Sequence, residues 1–243
     1  IGSLAQRTGP MTTLRTAVSA AAAIDPDDDD SAEANLRKAY RLMAKTPQIV
    51  ATYQRLRTGA DAIEPREDLG VAANFLYALT GKQPDPQVAR DFDVVLVLYA
   101  DHTLNASTFA GRVAAATLAD MYAAATAATA TLQGPLHGGA IEAVRELLEE
   151  IGTPDRAPDW VREKLARKEK VMGFGHRVYK TWDPRATVLR EIAERLGRQF
   201  GDTRWFETSV RVQETVMEVK TLYPNVDFYT ASVYSALGLP PDL

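Results

Sequence analysis

The chain has three histidines, and His176 lies in the setting best suited to chemistry. It directly follows a Gly-Phe-Gly stretch at 173–175, and Arg185 comes after it on an Asp-Pro-Arg turn. Glycine lets a backbone turn sharply and approach a ligand closely, and arginine offers a planar fork that matches a carboxylate. The stretch therefore predicts an acid–base group beside a carboxylate-binding arginine. The alternative is that the glycines only form a tight turn between two helices.

His137 lies between a Pro-Leu pair and two glycines, just before a helix that is predicted to begin near Ala140. The positive end of a helix dipole disfavours a charged imidazolium, so we expect a neutral ring. A neutral histidine at such a position can donate a hydrogen bond to a forming enolate. The alternative is a histidine that only caps or packs against the helix.

Two further residues are candidates for the same site. His102 follows an apolar run and precedes Thr103, Asn105 and Ser107, although a histidine at the end of a buried helix is often only a satisfied polar group. Asp227 lies between two apolar residues, where partial desolvation would make its carboxylate a better base. The alternative for Asp227 is an N-cap of a helix that begins at Phe228.

The motifs of several other kinds of site are absent from the sequence. The sequence has no cysteine and no His-Glu-x-x-His spacing, so we expect no metal site. It also has no phosphate-binding Walker loop, dinucleotide fingerprint or serine nucleophile elbow. The acidic run at 25–30 lacks the spacing of a calcium loop, and we interpret it as a solvated loop before a helix capped by Ser31.

The composition is that of a globular protein with a real core. Of 243 residues, 46% are hydrophobic and 25% are charged, and the formal net charge of -4 argues against nucleic acid as a partner. No apolar run is long enough to span a bilayer, and the absence of cysteine fits the cytoplasm. Because the chain begins at Ile1 and ends on Pro240, Pro241, Asp242 and Leu243, we expect both termini to be cut.

The elements that must position these residues are predicted to be helices. Apolar residues recur at helical spacing, and no convincing alternation or hairpin signal is present, so the fold class is predicted to be all-α. The predicted segments are 12–21, 32–57, 69–79, 88–99, 109–132, 140–151, 160–170, 186–196, 206–222 and 228–237.

Three of these segments carry specific expectations. Pro47 is predicted to divide 32–57 into two helices or to begin the second one. The apolar run 94–99 is predicted to be buried. The segment 109–132, rich in alanine and threonine, is predicted to be one long, tightly packed central helix, and a role in a subunit interface stays open.

Four motifs together resemble the citrate synthase family. They are Asp-His-Thr-Leu-Asn-Ala-Ser-Thr at 101–108, Gly-Pro-Leu-His-Gly-Gly-Ala at 134–140, Gly-Phe-Gly-His-Arg-Val-Tyr-Lys at 173–180 with Asp-Pro-Arg at 183–185, and Pro-Asn-Val-Asp-Phe-Tyr at 224–229. They occur in the order of the family and cover roughly 102 to 238. One local departure is Ile141, where the family often has asparagine.

The resemblance implies an all-α homodimer whose subunits have a large and a small domain, with the active site in the cleft. It implies that 1–137 is part of the large domain, that 138–234 is the small domain, and that 235–243 begins the return to the large domain. The rest of that return, which carries further arginines in the family, is absent, so we expect the chain to be an internal portion of a longer enzyme.

The implied enzyme is an acyl-CoA-dependent transferase at the entry of the tricarboxylic acid cycle. It would condense acetyl-CoA with oxaloacetate and hydrolyse citryl-CoA to citrate and CoA, with no metal or cofactor. By resemblance Asp227 takes the methyl proton, His137 hydrogen-bonds the thioester oxygen, and His176 polarises the oxaloacetate carbonyl. Arg185 and His102 would hold oxaloacetate.

The resemblance also implies a CoA site and leaves alternatives open. The CoA candidates are Val171, Met172, Gly173, Phe174, Gly175 and Lys180, with the basic cluster Arg162, Lys164, Arg167, Lys168 and Lys170 as a looser possibility. The alternatives are a 2-methylcitrate synthase that uses propionyl-CoA, a citryl-CoA lyase-like module, and a non-catalytic helical scaffold.

Overall fold

The computed structural model describes residues 1–134, 137–176 and 179–243, and this part of the chain is all-α, with twelve α-helices and no strand. The predicted fold class is therefore confirmed. The chain forms two compact units, unit 1 at 1–138 together with Leu243 and unit 2 at 139–242. The assignment of 1–137, 138–234 and 235–243 to particular domains stays a prediction. None of the described helices is long and apolar enough to cross a membrane.

Unit 1 contains the first seven α-helices and one 3₁₀ turn. Their bounds are α1 Gly2–Ala5, α2 Pro10–Ala21, the 3₁₀ turn Ala22–Ile24, α3 Ala32–Arg57, α4 Val71–Thr80, α5 Pro86–Tyr99, α6 Ala106–Ala116 and α7 Met121–Leu132.

Unit 2 contains the other five α-helices, and its core lies between α8, α10, α11 and α12. The bounds are α8 Ala140–Ile151, a 3₁₀ turn Pro154–Arg156, α9 Ala157–Ala166, α10 Pro184–Phe200, α11 Arg204–Lys220 and α12 Val226–Ala236. The fully buried side chains include Leu189 and Leu196 of α10, Val212 of α11, and Phe228 and Tyr229 of α12. The start of α12 is thus anchored in this core.

Helix α3 runs through Pro47 without a break, so the predicted division at this proline is wrong. Ser31 caps α3 as predicted, since its hydroxyl accepts a hydrogen bond from the N–H of Ala34. After the proline, Ala51 and Tyr53 are buried, and the Tyr53 hydroxyl donates to the carbonyl of Thr8. This packing offsets the backbone hydrogen bond that proline cannot make.

The predicted long helix at 109–132 is instead a helical hairpin, formed by α6 and α7. Leu118 adopts a left-handed conformation with φ 62°, and the Asp120 carboxylate then caps α7 by accepting from the N–H of Ala123. The two helices approach closely, because a Cβ added at Gly111 would lie 3.4 Å from the carbonyl oxygen of Ala124. The prediction of one tightly packed central helix was therefore wrong.

Helix α5 forms as predicted, but it is buried on one face only. Val95 is fully buried, whereas Val97 is 65% exposed. The expectation that the whole run 94–99 is buried was therefore wrong. An apolar run cannot by itself distinguish a buried helix from one with an apolar outer face.

The acidic run is not a wholly solvated loop, because its first two carboxylates are held by cations of α3. Arg41 lies 2.6 Å from Asp25 and 2.5 Å from Asp27, and Arg37 also pairs with Asp27. The hydroxyl of Tyr122, at the start of α7, donates to Asp25. These carboxylates therefore join α3 and α7 through an ion-pair network.

A short backbone pairing in unit 2 brings the Gly-Phe-Gly stretch to the start of α12. The N–H of Gly175 donates to the carbonyl of Tyr223, and the N–H of Asn225 donates to the carbonyl of Gly173, both at 2.9 Å. Phe174 and Pro224 form an isolated antiparallel bridge between them. Two motifs about 50 residues apart in the sequence are thereby adjacent.

Gly173 is required by this pairing for two reasons. Its φ is 82°, a conformation that L side chains rarely adopt, and a Cβ added there would lie 2.7 Å from the Phe228 ring and 2.9 Å from a methyl of Val144. Gly175 has a similar φ of 83°, but a Cβ there would meet nothing within 4 Å. The loop thus packs tightly on α8 and α12 at Gly173 and is open at Gly175.

We predict that acid removes the stabilisation that Asp27 provides to unit 1. Hydrogen bonds from Arg37 and Arg41 lower the pKa of Asp27 from 3.8 to about 2. Because the folded pKa is lower than the unfolded one, this stabilisation is complete above about pH 4 and is lost as the pH falls through about 2. Between about pH 5 and pH 2.5, the amount by which Asp27→Asn lowers the melting temperature relative to wild type should shrink as the pH falls. Asp28→Asn, at the exposed neighbouring position, is the control. A loss of melting temperature in Asp27→Asn that does not change with pH would contradict the prediction.

We predict that Gly173→Ala destabilises the protein more than Gly175→Ala does. Both changes place a side chain at positive φ, which costs roughly 1–2 kcal/mol. Only Gly173→Ala also forces a methyl against Phe228 and Val144, and overpacking of this kind costs about 1–3 kcal/mol more. Urea denaturation of both variants measures the difference in the free energy of unfolding. Equal losses of this free energy would show that the close packing at Gly173 does not matter.

Candidate active site

The His176 ring is held from two sides in unit 2. Its Nδ1 accepts a hydrogen bond from the backbone N–H of Tyr179 at 3.1 Å, and the Tyr179 ring lies 4.9 Å from it, centroid to centroid. Because Nδ1 is an acceptor, the neutral ring carries its proton on Nε2. Nε2 is therefore the nitrogen that can donate a hydrogen bond to a ligand.

Arg185 lies beside the His176 ring, as its spacing predicted, with Nη2 3.4 Å from Nε2. Because a guanidinium only donates, this approach is a charge contact and not a hydrogen bond when the ring proton is on Nε2. The guanidinium is oriented by Asp183, whose carboxylate accepts from Arg185 Nε at 3.0 Å and from Nη2 at 2.8 Å. In the sequence Asp183 is marked only as part of a turn, which gives no signal that it orients the guanidinium. Two carboxylate oxygens that accept from one planar guanidinium fix the direction in which the arginine points.

Asp183 is ionised, although it is almost completely buried. Burial raises the pKa of its carboxyl group, but the hydrogen bonds and positive charge of Arg185 outweigh burial and hold the pKa below its ordinary value of 3.8. Asp183 also caps α10 by accepting from the N–H of Arg185. The Asp-Pro-Arg turn thus combines a helix cap with an ion pair.

Asp227 lies in the first turn of α12 and is half-buried. The N-cap is Asn225, whose side chain accepts from the N–H of Asp227 at 3.0 Å, so the interpretation of Asp227 as a cap was wrong. Burial, and next the negative charge of Asp227, raise the pKa of Tyr234 on the same helix to about 12. Asp227 is therefore a carboxylate in the first turn of α12 and not its cap.

In unit 1 the motif that contains His137 meets the motif at 101–108. The Oγ of Ser107 lies 2.7 Å from Nε2 of His137. The loop turns tightly here, because a Cβ added at Gly138 would lie 2.2 Å from the carbonyl oxygen of Leu132. Ser107 was named only as a neighbour of His102, and its position inside the motif was the signal that could have identified it as a partner of His137.

His102 lies in the exposed loop between α5 and α6. The same loop contains Thr103, whose N–H donates to the Asp101 carboxylate, and Asn105, which caps α6 by accepting from the N–H of Thr108. The predicted role of His102 in substrate binding stays a prediction.

The predicted CoA-binding residues differ in their exposure. Val171 and Gly173 are buried, whereas Met172 and Lys180 are exposed. Phe174 packs on Phe228 with ring centroids 4.6 Å apart. The motif residues Pro135, Leu136, Arg177 and Val178 lie outside the described residues.

Three of the five looser CoA candidates form surface ion pairs. Arg162 lies 3.4 Å from Glu218, Lys164 lies 3.0 Å from Glu169, and Arg167 lies 2.9 Å from Glu163. This pattern favours the interpretation of 160–170 as a charged outer face.

The sequence is similar to one protein family over its whole length. A family model described as "Citrate synthase, C-terminal domain" matches residues 1–243. Citrate synthase 2 of Bacillus subtilis is 52% identical over 235 residues, which are 96% of this chain and 63% of that protein. Citrate synthase of Haloferax volcanii is 49% identical over 98% of this chain and 64% of that protein. A 2-methylcitrate synthase of Mycobacterium tuberculosis is 45% identical over 94% of this chain and 58% of that protein.

Solved structures agree with these matches. Citrate synthase from Pyrobaculum aerophilum has a TM-score of 0.90 and 39% identity, covering 99% of this chain and 64% of that one. Citrate synthase from Thermoplasma acidophilum, in a ternary complex with carboxymethyl coenzyme A and oxaloacetate by its description, has a TM-score of 0.85 and 31% identity, covering 99% of this chain and 65% of that one.

The chain spans 63% and 64% of the length of the two citrate synthases that it matches at 52% and 49% identity. The family model, in contrast, matches every residue of the chain. The chain therefore belongs to the citrate synthase family.

Proposed function

We propose that the protein condenses acetyl-CoA with oxaloacetate and hydrolyses the resulting citryl-CoA to citrate and CoA. The observation that carries this proposal is the group formed by His176, Arg185 and Asp183. It combines a hydrogen-bond donor at Nε2 with an oriented cation 3.4 Å away, which suits a ligand that bears a carbonyl next to a carboxylate. The description of the Thermoplasma relative with oxaloacetate supports the same substrate.

His176 would act on the oxaloacetate carbonyl. The proton on Nε2 would be donated to the ketone oxygen as negative charge develops there, while Arg185 would bind a carboxylate of the same molecule. An aimed donor and a fixed cation stabilise the transition state without having to reorganise. His102 would help to hold oxaloacetate.

His137 would stabilise the enolate of acetyl-CoA. If the Ser107 hydroxyl donates to Nε2 of His137, the ring proton lies on Nδ1, which can then hydrogen-bond the thioester oxygen. Asp227 would remove a proton from the acetyl methyl, and the carbon would then add to the ketone. Water finally cleaves the thioester of citryl-CoA, releasing CoA.

CoA would be bound by the backbone of 171–175 and by Lys180. The reaction moves protons and forms one carbon–carbon bond, with no net transfer of electrons to an acceptor, so we propose no metal or redox cofactor. The cytoplasm is the proposed compartment, consistent with a sequence that carries no cysteine.

A 2-methylcitrate synthase that uses propionyl-CoA is the second candidate, favoured by the 45% identity to the Mycobacterium tuberculosis protein. The two substrates differ by one methylene, which is worth only about 1–3 kcal/mol of discrimination. The same groups would carry both reactions.

We also propose a homodimer. The support comes from the α6–α7 hairpin, where Phe109 is 59% exposed, Val113 is 52% exposed and Leu118 is 91% exposed. Phe109 and Val113 are four residues apart on α6 and share one helix face. Apolar faces of this kind mark interaction sites.

The proposed activity predicts how turnover depends on the acyl-CoA substrate and on Asp227. With oxaloacetate, the full-length protein should release thiol from acetyl-CoA with a higher kcat/KM than from propionyl-CoA. Asp227→Asn should lower kcat by about 10²–10⁴-fold, because the amide cannot accept the methyl proton. Asp202→Asn, at an exposed carboxylate of the same unit, is the control. A preference for propionyl-CoA would move the assignment to the second candidate, and no thiol release from either substrate would refute both.

A separate prediction concerns the assembly of the homodimer. Phe109→Asp should shift the protein from dimer to monomer in sedimentation velocity, because burying an unpaired carboxylate in an apolar interface is costly. Glu146→Lys, at an exposed charged position on α8, should leave the dimer intact. A dimer that survives Phe109→Asp would exclude this hairpin as the interface.

A further inference from the structure

One side chain in unit 2 hydrogen-bonds to both segments that carry proposed chemistry. The Oδ1 of Asn225 accepts from the N–H of Asp227 at 3.0 Å, and its Nδ2 donates to the carbonyl of Gly175 at 3.1 Å. The backbone N–H of Asn225 donates to Gly173 at 2.9 Å. A single residue thus joins the loop of His176 to the first turn of α12.

The two side-chain bonds require a primary amide. A carboxylate only accepts, and so could cap α12 but could not donate to Gly175. A serine hydroxyl also caps helices well, but it is too short to reach both partners. The orientation of the amide is fixed too, because the reversed one would place NH₂ against an N–H and oxygen against oxygen.

The bond to Gly175 controls the peptide group that precedes His176. The carbonyl of Gly175 and the N–H of His176 belong to one planar peptide unit, so holding that carbonyl orients the start of His176. No side chain of Gly175 can pack here, and the space where its Cβ would lie is open. The loop therefore depends on hydrogen bonds at this point.

We propose that Asn225 is a positioning residue that fixes His176 relative to Asp227. The proposal rests on the proposed function only in that it treats these two side chains as the acid–base groups of the reaction. The two side-chain bonds of Asn225 go to backbone groups of Gly175 and Asp227, so it would act through the backbone and not on the reacting atoms.

The test separates the two bonds of Asn225. Asn225→Ser retains the cap of α12 and loses the bond to Gly175, whereas Asn225→Ala loses both. By hydrogen-exchange mass spectrometry, amides in 171–176 should exchange about five- to tenfold faster in Asn225→Ser, while those in α12 stay within about twofold. In Asn225→Ala both segments should exchange faster. Asn225→Asp, which keeps the side-chain volume and the cap, tests the same bond if Asn225→Ser does not fold.

Kinetics then show whether the lost bond affects positioning. In Asn225→Ser, kcat should fall about tenfold, while KM for oxaloacetate stays within about twofold because Asp183 still holds Arg185. The matched control is Asp85→Ser, an exposed N-cap of α5, which should change neither quantity.

Two results would overturn the proposal. The first is unchanged exchange in 171–176 in Asn225→Ser, and the second is faster exchange with unchanged kcat. Wild-type protein that releases no thiol would refute the proposed function instead. The exchange data would then still decide whether Asn225 holds the loop.

Discussion

The close approach of Gly173 to Phe228 is the constraint on which the rest of unit 2 depends. It allows residues 173–175 to pair with 223–225, and this pairing places the His176 loop beside the start of α12. Because α12 is anchored by buried residues such as Phe228 and Tyr229, the loop inherits its position from the hydrophobic core. The proposed acid–base groups therefore lie on segments that are held by packing at Gly173 and by hydrogen bonds at Gly175.

Electrostatics adds a second constraint at the same place. A lone guanidinium beside an imidazole would repel the charged form of the ring, and a lone buried carboxylate would be costly. In the Asp183–Arg185 pair each charge compensates for the other, and the geometry of the fork also aims the arginine. His176 takes its tautomer from the backbone of Tyr179, so the orientation of its donor does not rely on a titratable partner.

The sequence was most informative where spacing alone carries the chemistry. The proximity of His176 and Arg185 and the all-α fold could be predicted, because glycine, proline and helical periodicity leave local signals. The break between α6 and α7 could not, because Leu118 adopts a left-handed conformation without glycine or proline, and Asp120 was the one available cap signal. At Pro47 the sequence predicted a break that does not occur, because tertiary packing sustains α3 across it. The contact of Asn225 with Gly175 joins segments about 50 residues apart, which no local pattern specifies.

Leu118 has a consequence for how folding and assembly are linked. A leucine in the left-handed region costs roughly 1–2 kcal/mol relative to an unstrained backbone, and its side chain is 91% exposed. Glycine would fold at this turn with less strain, so the stability of a single subunit does not explain the leucine. If the hairpin is the interface of the proposed homodimer, association would recover through burial what each subunit loses in strain. The melting temperature would then rise with protein concentration, and the subunit could not be optimised for stability independently of its partner.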